Sequence, residues 1–439
     1  MNPIRPSQLL RAIAAFAIFS LGLVNSSAQT ETVLHTFTGG SDGELPFSGV
    51  TLDSAGNLYG TTWDGGSAGC GGYGCGTVFE LSPTTSGNWQ ETILFRFTGS
   101  QTGGLPVGNL VIDGNGNIFG ADLLGGSDAE CSSDSGGLTG CGLVFELSPT
   151  SVGLQESLPA LFDSSRAGEL PYGGVVADSL GNLYGTTWQG GILTACVNGC
   201  GTVFRLSPTG SGAWEETILH TFTGGNDGGG SQSSLIFDAA GNLYGTAGVV
   251  FKLSNTASGG WKETVLYTFS GGADGSGSFT SLVLDAAGNL YGTTPSGGNL
   301  SGCNGYGCGV VFKLSPTRTG VWKQTVLYQF SGKGDGSFPD SAPAIDAAGN
   351  LYGTTYEGGL QGQLSCYNHG CGVVYKLSPR PGSWKGTVLH QFSGGADGAI
   401  PAGSVTLDNA GNIYGATQNG GNLSDCGGFG CGIVFEIVP

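Results

Sequence analysis

The chain has only four histidines and fourteen basic side chains among its 439 residues. The shortage of histidine weighs most on chemistry. His35, His220 and His390 recur at one position of what reads as an outermost strand, so they cannot converge on a common centre. Only His369 falls in a loop where it could face a ligand. Metal- or histidine-dependent lyase, lactonase and oxidoreductase chemistry is therefore poorly supported, and no Ser-His-Asp or Cys-His set can be assembled. Arginine is equally scattered. Sialidase-type chemistry wants several arginines on one face, whereas Arg96 and Arg205 lie on expected strands, Arg318 and Arg380 fall in loops of the opposite face, and Arg166 stands alone.

Long apolar runs are also missing, except at the start. Arg5 and Arg11 precede an apolar stretch from Ala12 to Val24, and Ser26-Ser27-Ala28 supplies small residues for cleavage. Residues 1–28 read as a secretory signal peptide, and no later segment approaches the ~20 apolar residues of a membrane span. Removing that leader leaves 12 basic against 32 acidic side chains, a formal charge of −20. Such a surface repels nucleic acid and anionic membranes and accepts neutral polymers, cations or basic partners.

What the chain has in abundance is glycine, 87 residues of it, and much of that glycine belongs to a repeat. Gly-Asn-Leu-Tyr-Gly or a close variant begins at Gly56, Gly116, Gly181, Gly241, Gly288, Gly349 and Gly411. Repeats of this length in strand-forming residues point to propeller blades. In the first unit, Pro46–Asp53 alternates apolar and small residues as a strand does. A tight Asp53–Asn57 turn leads to a second strand, Leu58–Trp63. A glycine- and cysteine-rich loop then reaches the third, Thr77–Leu81, and Glu91–Phe97 makes the fourth. The mature chain opens with a fourth strand, Glu31–Phe37, that lacks its first three, and closes with a third, Gly432–Pro439, that lacks its fourth. The expectation is all-β: one domain over residues 29–439, a seven-bladed β-propeller with four antiparallel strands per blade. The N-terminal outer strand would pair with the C-terminal blade and leave no open edge.

All twelve cysteines fall between second and third strands, two per loop in six units. The fourth unit is a control, because it lacks the loop and both cysteines. Disulfides are therefore expected within loops: Cys70–Cys75, Cys131–Cys141, Cys196–Cys200, Cys303–Cys308, Cys366–Cys371 and Cys426–Cys431. A zinc reading is weak without a second cysteine pair or a histidine in the same unit.

Two sets of aspartates recur. Asp53, Asp113, Asp178, Asp238, Asp285, Asp346 and Asp408 head the Asp-x-x-Gly-Asn turns and are assigned to turn formation. Asp42, Asp227, Asp274, Asp335 and Asp397 lie in Gly-rich loops between blades. Calcium takes six to eight oxygens, and one aspartate per loop supplies too few, so turn formation is preferred there too. Calcium stays the one cofactor candidate, and none is otherwise expected.

Aromatic residues are the better lead to function. Tyr73, Tyr306, Tyr367 and Phe429 lie between paired cysteines, while Trp63, Trp188 and Tyr356 end second strands beneath those loops. All seven should project toward the disulfide-loop face, where rigid aromatics suit stacking on sugar rings or gripping a protein. The alternative is that these rings only pack their own loops. The Tyr of the repeat and the recurring Trp89, Trp214, Trp261, Trp322 and Trp384 are assigned to packing.

The recurring Asp-x-x-Gly-Asn-Leu-Tyr-Gly-Thr-Thr, the Gly-Gly loop and the Gly-Thr-Val-Phe-x-Leu-Ser-Pro strand resemble those of the bacterial tandem-repeat proteins called GloVer-containing or choice-of-anchor proteins. The resemblance spans Gln29 to Pro439. The Asp-x-x-Gly-Asn-Leu-Tyr portion is also similar to propeller repeats of sensor-kinase periplasmic regions. What it implies is an exported or surface protein of unassigned activity, with no catalytic residues to carry over. The leading expectation is a monomeric, secreted, periplasmic or cell-surface binding module for carbohydrate or protein. One alternative is a purely structural surface repeat. Another is a glycan hydrolase or lyase using some of Asp64, Glu44, Glu169 and Glu357, two of which would have to face each other roughly 5–9.5 Å apart.

Overall fold

In the computed structural model the chain is described over residues 29–439, apart from 100–101, 127–130, 132–139, 164–167, 211, 361–365 and 367–368. The expected leader and Tyr367 lie outside the described residues. The rest forms seven four-stranded antiparallel sheets arranged as blades of a ring. Blade 1 comprises Thr51–Leu52, Leu58–Thr62, Thr77–Pro83 and Trp89–Arg96. Blades 2 to 6 follow over 104–161, 175–221, 236–268, 283–329 and 344–391. Blade 7 takes three strands from the C-terminus, Thr406–Leu407, Ile413–Thr417 and Ile433–Val438, and its fourth from the N-terminus, Thr30–Thr36. Thr30 pairs with Val438 and Thr36 with Ile433, so the two ends of the described chain close the ring.

The repeat motif encodes the packing between strands and between blades. Gly60 sits mid-strand because the tip of the Phe79 ring rests against it: a Cβ there would stand 2.5 Å from Phe79 Cζ. The same phenylalanine meets Phe37 of the neighbouring blade edge-on, with ring centroids 5.2 Å apart. Equivalent edge-on or tilted pairs recur at all seven blade junctions, for example Phe97–Phe145, Phe222–Phe251 and Phe392–Phe435. Each such pair adds about 0.5–1.5 kcal/mol beyond its area burial. Trp89, Trp214, Trp261, Trp322 and Trp384 each pack on the repeat Tyr or Phe of an adjacent blade.

Except in blade 2, where it runs over Gly104–Ile112, the innermost strand is shorter than expected. Instead of Pro46–Asp53, only Thr51–Leu52 pairs as ladder in blade 1. Near the ring axis, inner segments of adjacent blades crowd one another: a Cβ on Gly49 would fall 2.2 Å from the Ser404 carbonyl oxygen. Side-chain bonds replace the ladder there, as when Thr51 Oγ1 donates to the Leu110 carbonyl at 2.8 Å.

All six disulfides have the expected partners. Among the described residues, three loops fold a single 3-10 turn on the first cysteine, Cys70–Gly72, Cys303–Gly305 and Cys426–Gly428. The second cysteine's carbonyl accepts the N–H of the next inter-blade segment, as from Leu45 to Cys431 and from Leu105 to Cys75. Disulfide loops and inter-blade loops thus share one face of the ring. The Asp-x-x-Gly-Asn turns sit at the other end of the same strands, and their geometry explains the motif. Asp53 Oδ1 accepts the N–H groups of Ala55 and Asn57, and Oδ2 accepts Asn57 Nδ2 and the Tyr59 hydroxyl. Burial pushes the Asp53 carboxyl up, but these bonds outweigh it and hold the group below the usual range.

Candidate functional site

The inner segments enter the central channel from the disulfide-loop face, and the first residue they present there is equivalent in every blade. In order these residues are Phe47, Val107, Tyr172, Gln232, Phe279, Asp340 and Ala402, and all seven line a cavity of about 490 Å³. In four units the position follows a proline, as in Pro46-Phe47 and Pro171-Tyr172, and Pro339-Asp340 gives a fifth; the stiff proline delivers the side chain to the mouth of the channel. A repeat that is otherwise nearly uniform thus places different chemistry at one ring of positions.

Behind this ring stand the residues that end the second strands. The Phe47 and Trp63 rings are 4.9 Å apart, Phe47 and Tyr172 6.4 Å, and Tyr172 and Trp188 6.4 Å. The result is an aromatic arc, Trp63–Phe47–Tyr172–Trp188, spanning blades 1 to 3. Val107 and Leu123 of blade 2 are too small to interrupt it. Leu105 and Leu124 pack beneath it with Trp63, Leu123 and Leu170. Gly230, at φ +65°, leaves room for the indole of Trp188, since a Cβ would stand 3.1 Å from both Cδ1 and Nε1. Trp188 and Phe279 are exposed, and Trp63 and Tyr356 are half-buried.

Asp340 is the sole charged residue lining the cavity among the described residues. It is open to channel water yet ringed by protein, and that crowding raises its carboxyl to about 6. Among the described residues no group donates a hydrogen bond to it or pairs with it. Tyr172 feels its charge: the phenol is raised by burial first, then by Asp340 and Tyr356.

The other aromatic candidates stand apart from this mouth. Tyr73 and Tyr306 are 68% and 72% exposed at the tips of their disulfide loops, with Phe429 at the equivalent place. The fourth blade turns tightly at Ala247–Gly248 and leaves a gap in that rim, over which Phe279 lies.

The inter-blade aspartates are engaged locally. Asp42 accepts the Thr38 N–H at 2.9 Å and its hydroxyl at 2.7 Å. Asp227 does the same with Thr223, and Asp274, Asp335 and Asp397 with Ser270, Ser331 and Ser393. Both carboxylate oxygens of each are thereby used in closing the turn. Outer-strand histidines join some of these turns. His35 Nε2 lies 3.8 Å from Asp42 and 3.3 Å from Glu91 of the next blade, far from the channel. The two further ligand-like groups among the described residues, Glu44 with Cys426 and Cys431 and Glu169 with Cys131 and Cys141, contain disulfide-bonded sulfurs that offer no thiolate.

Of the four carboxylates considered for glycan cleavage, only Glu44 and Asp64 come together, as partners in one antiparallel bridge of blade 1. Glu44 Oε2 lies 2.7 Å from Cys426 Sγ. A disulfide sulfur carries no hydrogen, so the carboxyl O–H is the donor, in keeping with a group raised to about 7 by burial and then by Asp64. Asp64 is raised to about 6 by burial. Glu169 pairs with Gln189 in blade 3 and Glu357 with Ser337 in blade 6.

The fold and this mouth define a disulfide-studded seven-bladed propeller with a ligand-sized cavity running along its central channel. The chain belongs to the Gloeobacter/Verrucomicrobia repeat family, whose model matches residues 131–363 and 246–439. No curated protein is significantly similar to it. Among solved structures it is similar to a protein from Lactobacillus plantarum, at 14% identity and TM-score 0.48, with 81% of this chain and 86% of that one covered. It is also similar to the extracellular domain of a putative hybrid two-component system from B. thetaiotaomicron, at 13% identity and TM-score 0.47. That match covers 94% of this chain and 41% of the other.

Proposed function

We propose that the protein is an exported, non-enzymatic binding module whose ligand is a glycan seated at the channel mouth on the disulfide-loop face. The observation that carries this reading is the aromatic arc Trp63–Phe47–Tyr172–Trp188 beside a cavity of about 490 Å³. Flat apolar rings with polar edges stack on the C–H faces of sugars and lose little entropy in doing so. Six disulfides fit an oxidising compartment, and they stiffen the loops that rim the site. Among the described residues no helix is long and apolar enough to cross a membrane.

The test is binding of the oxidised chain, residues 29–439, to a glycan and polysaccharide array, with calcium and with chelator. The account expects binding to a defined set of glycans that a Trp188→Ala exchange abolishes. Loss of binding in chelator would transfer the site to a metal-dependent surface. Absence of binding in both buffers would favour a protein partner or a structural role.

A further inference from the structure

We propose that the glycan recognised at this mouth carries a free ammonium group, as a de-N-acetylated amino sugar does, and that Asp340 is its counter-ion. The inference rests on the glycan reading above and goes beyond it by naming the charge of the ligand.

The position of Asp340 sets it apart from the other acidic residues. The recurring aspartates of both turn sets are consumed by backbone and hydroxyl donors within their own loops. Asp340 occupies a position that is Phe, Val, Tyr, Gln, Phe and Ala in the other six blades, so no turn requires a carboxylate there. It projects into a cavity in which no described residue supplies a positive charge or a hydrogen bond to it. Leaving a crowded carboxylate unpaired costs stability, and a ligand cation would relieve that cost at the moment of binding.

The surroundings select the kind of cation. Ring faces attract ammonium groups through their quadrupoles, best from aromatic side chains that also exclude water. Tyr172 lies near enough to Asp340 to be raised by its charge, and Tyr356 lines the same cavity. The aromatic arc continues from Tyr172 to Trp188. A bare metal ion would find one carboxylate and no further anionic oxygen among the lining residues, too little for calcium or magnesium. A sugar ammonium instead places its charge at Asp340 and its ring against the arc. The net charge of −18 for the whole chain adds a long-range attraction for polyamine glycans.

The experiment compares glucosamine oligomers with N-acetylglucosamine oligomers of equal length, by calorimetric titration against the wild type, Asp340→Asn and Trp188→Ala. The amide keeps the shape of Asp340 and removes its charge, and it should raise stability rather than cost folding. The proposal expects the free-amine oligomer to bind at least ten times more tightly than its acetylated counterpart. Asp340→Asn should erase that preference, and added salt should weaken it. Wild-type affinity for the amine should climb as pH rises through about 6, where Asp340 ionises, and the Asn variant should lack that limb. Equal binding of both oligomers, with Trp188→Ala still disruptive, overturns the proposal and leaves the glycan reading standing. Binding of neither oligomer overturns the proposal and leaves the glycan reading to the array, whereas binding indifferent to Trp188→Ala overturns both.

Discussion

Replacing Asp122 with threonine should stabilise the protein. Asp122 is fully buried in the second strand of blade 2, and neither of its carboxylate oxygens has a hydrogen-bond partner. Burial, and then Glu156, push its carboxyl well above the usual range. At the equivalent place blades 1, 3, 5, 6 and 7 carry Thr62, Thr187, Thr294, Thr355 and Thr417. Each of these hydroxyls donates to the carbonyl two residues on, at 3.0 Å for Thr62 and 2.9 Å for Thr355. Thr355 also accepts the N–H of Val373, so threonine needs no second threonine opposite it. Leu143 stands opposite Asp122, and the exchange should therefore be accommodated. An unsatisfied buried polar group costs about 1–3 kcal/mol and a new hydrogen bond returns about 1 kcal/mol, so a gain of about 2–4 kcal/mol is expected. With a chain this long, that corresponds to only a few degrees in Tm. Denaturant unfolding at fixed pH reads the difference more directly. The sign with pH is a second check. A carboxyl with a raised folded pKa contributes most below its unfolded value and loses that contribution as pH climbs through its folded value. The advantage of Asp122→Thr should therefore be larger at pH 8 than at pH 4. A destabilised variant, or an advantage independent of pH, would refute the reasoning.

The remaining predictions concern the ring and its rim. Glu91, Glu156, Glu216 and Glu263 face blade junctions and are each raised to about 7, burial being the leading cause; their stabilising contribution should fade between pH 4.5 and 7, so Tm should fall from pH 5 to pH 8, and Glu91→Gln should flatten that slope. Gly60→Ala would drive a methyl group into the Phe79 ring and should cost about 1–3 kcal/mol, measured by denaturant titration. Replacing Cys303 and Cys308 by serine opens a five-residue separation and should cost about 2 kcal/mol in the chain-entropy model, with the same spectrum of β structure retained.

Architecture was legible because each blade repeats its packing in residues: the glycine beneath Phe79, the aspartate that caps its own turn, and the terminal strands that complement one another. The disulfide pairing was legible because the fourth unit loses loop and cysteines together. Outside blade 2 the inner segments were overread as full strands, since alternation along Pro46–Asp53 carries no sign of the crowding near the ring axis. The mouth was half legible. Trp63, Trp188 and Tyr356 stand out as aromatics at the ends of strands, but Phe47, Tyr172, Phe279 and Asp340 look like ordinary inner-strand residues one unit at a time. The signal that finds them is the comparison of units at the residue ahead of the inner strand, where Phe, Val, Tyr, Gln, Asp and Ala alternate in a chain that elsewhere repeats itself. Asp122 hides in the same way, as the single charged residue where five units have threonine.

The most direct measurement is a crystal structure of the mature chain with the glycan it binds most tightly. The account places the sugar at the channel mouth, with a ring against Trp188 and Tyr172 and a polar group within hydrogen-bonding distance of Asp340. A glycan found on the Ser-Pro loop face, along the outer strands or only at the tips of Tyr73 and Tyr306, with the channel mouth holding solvent, would contradict it.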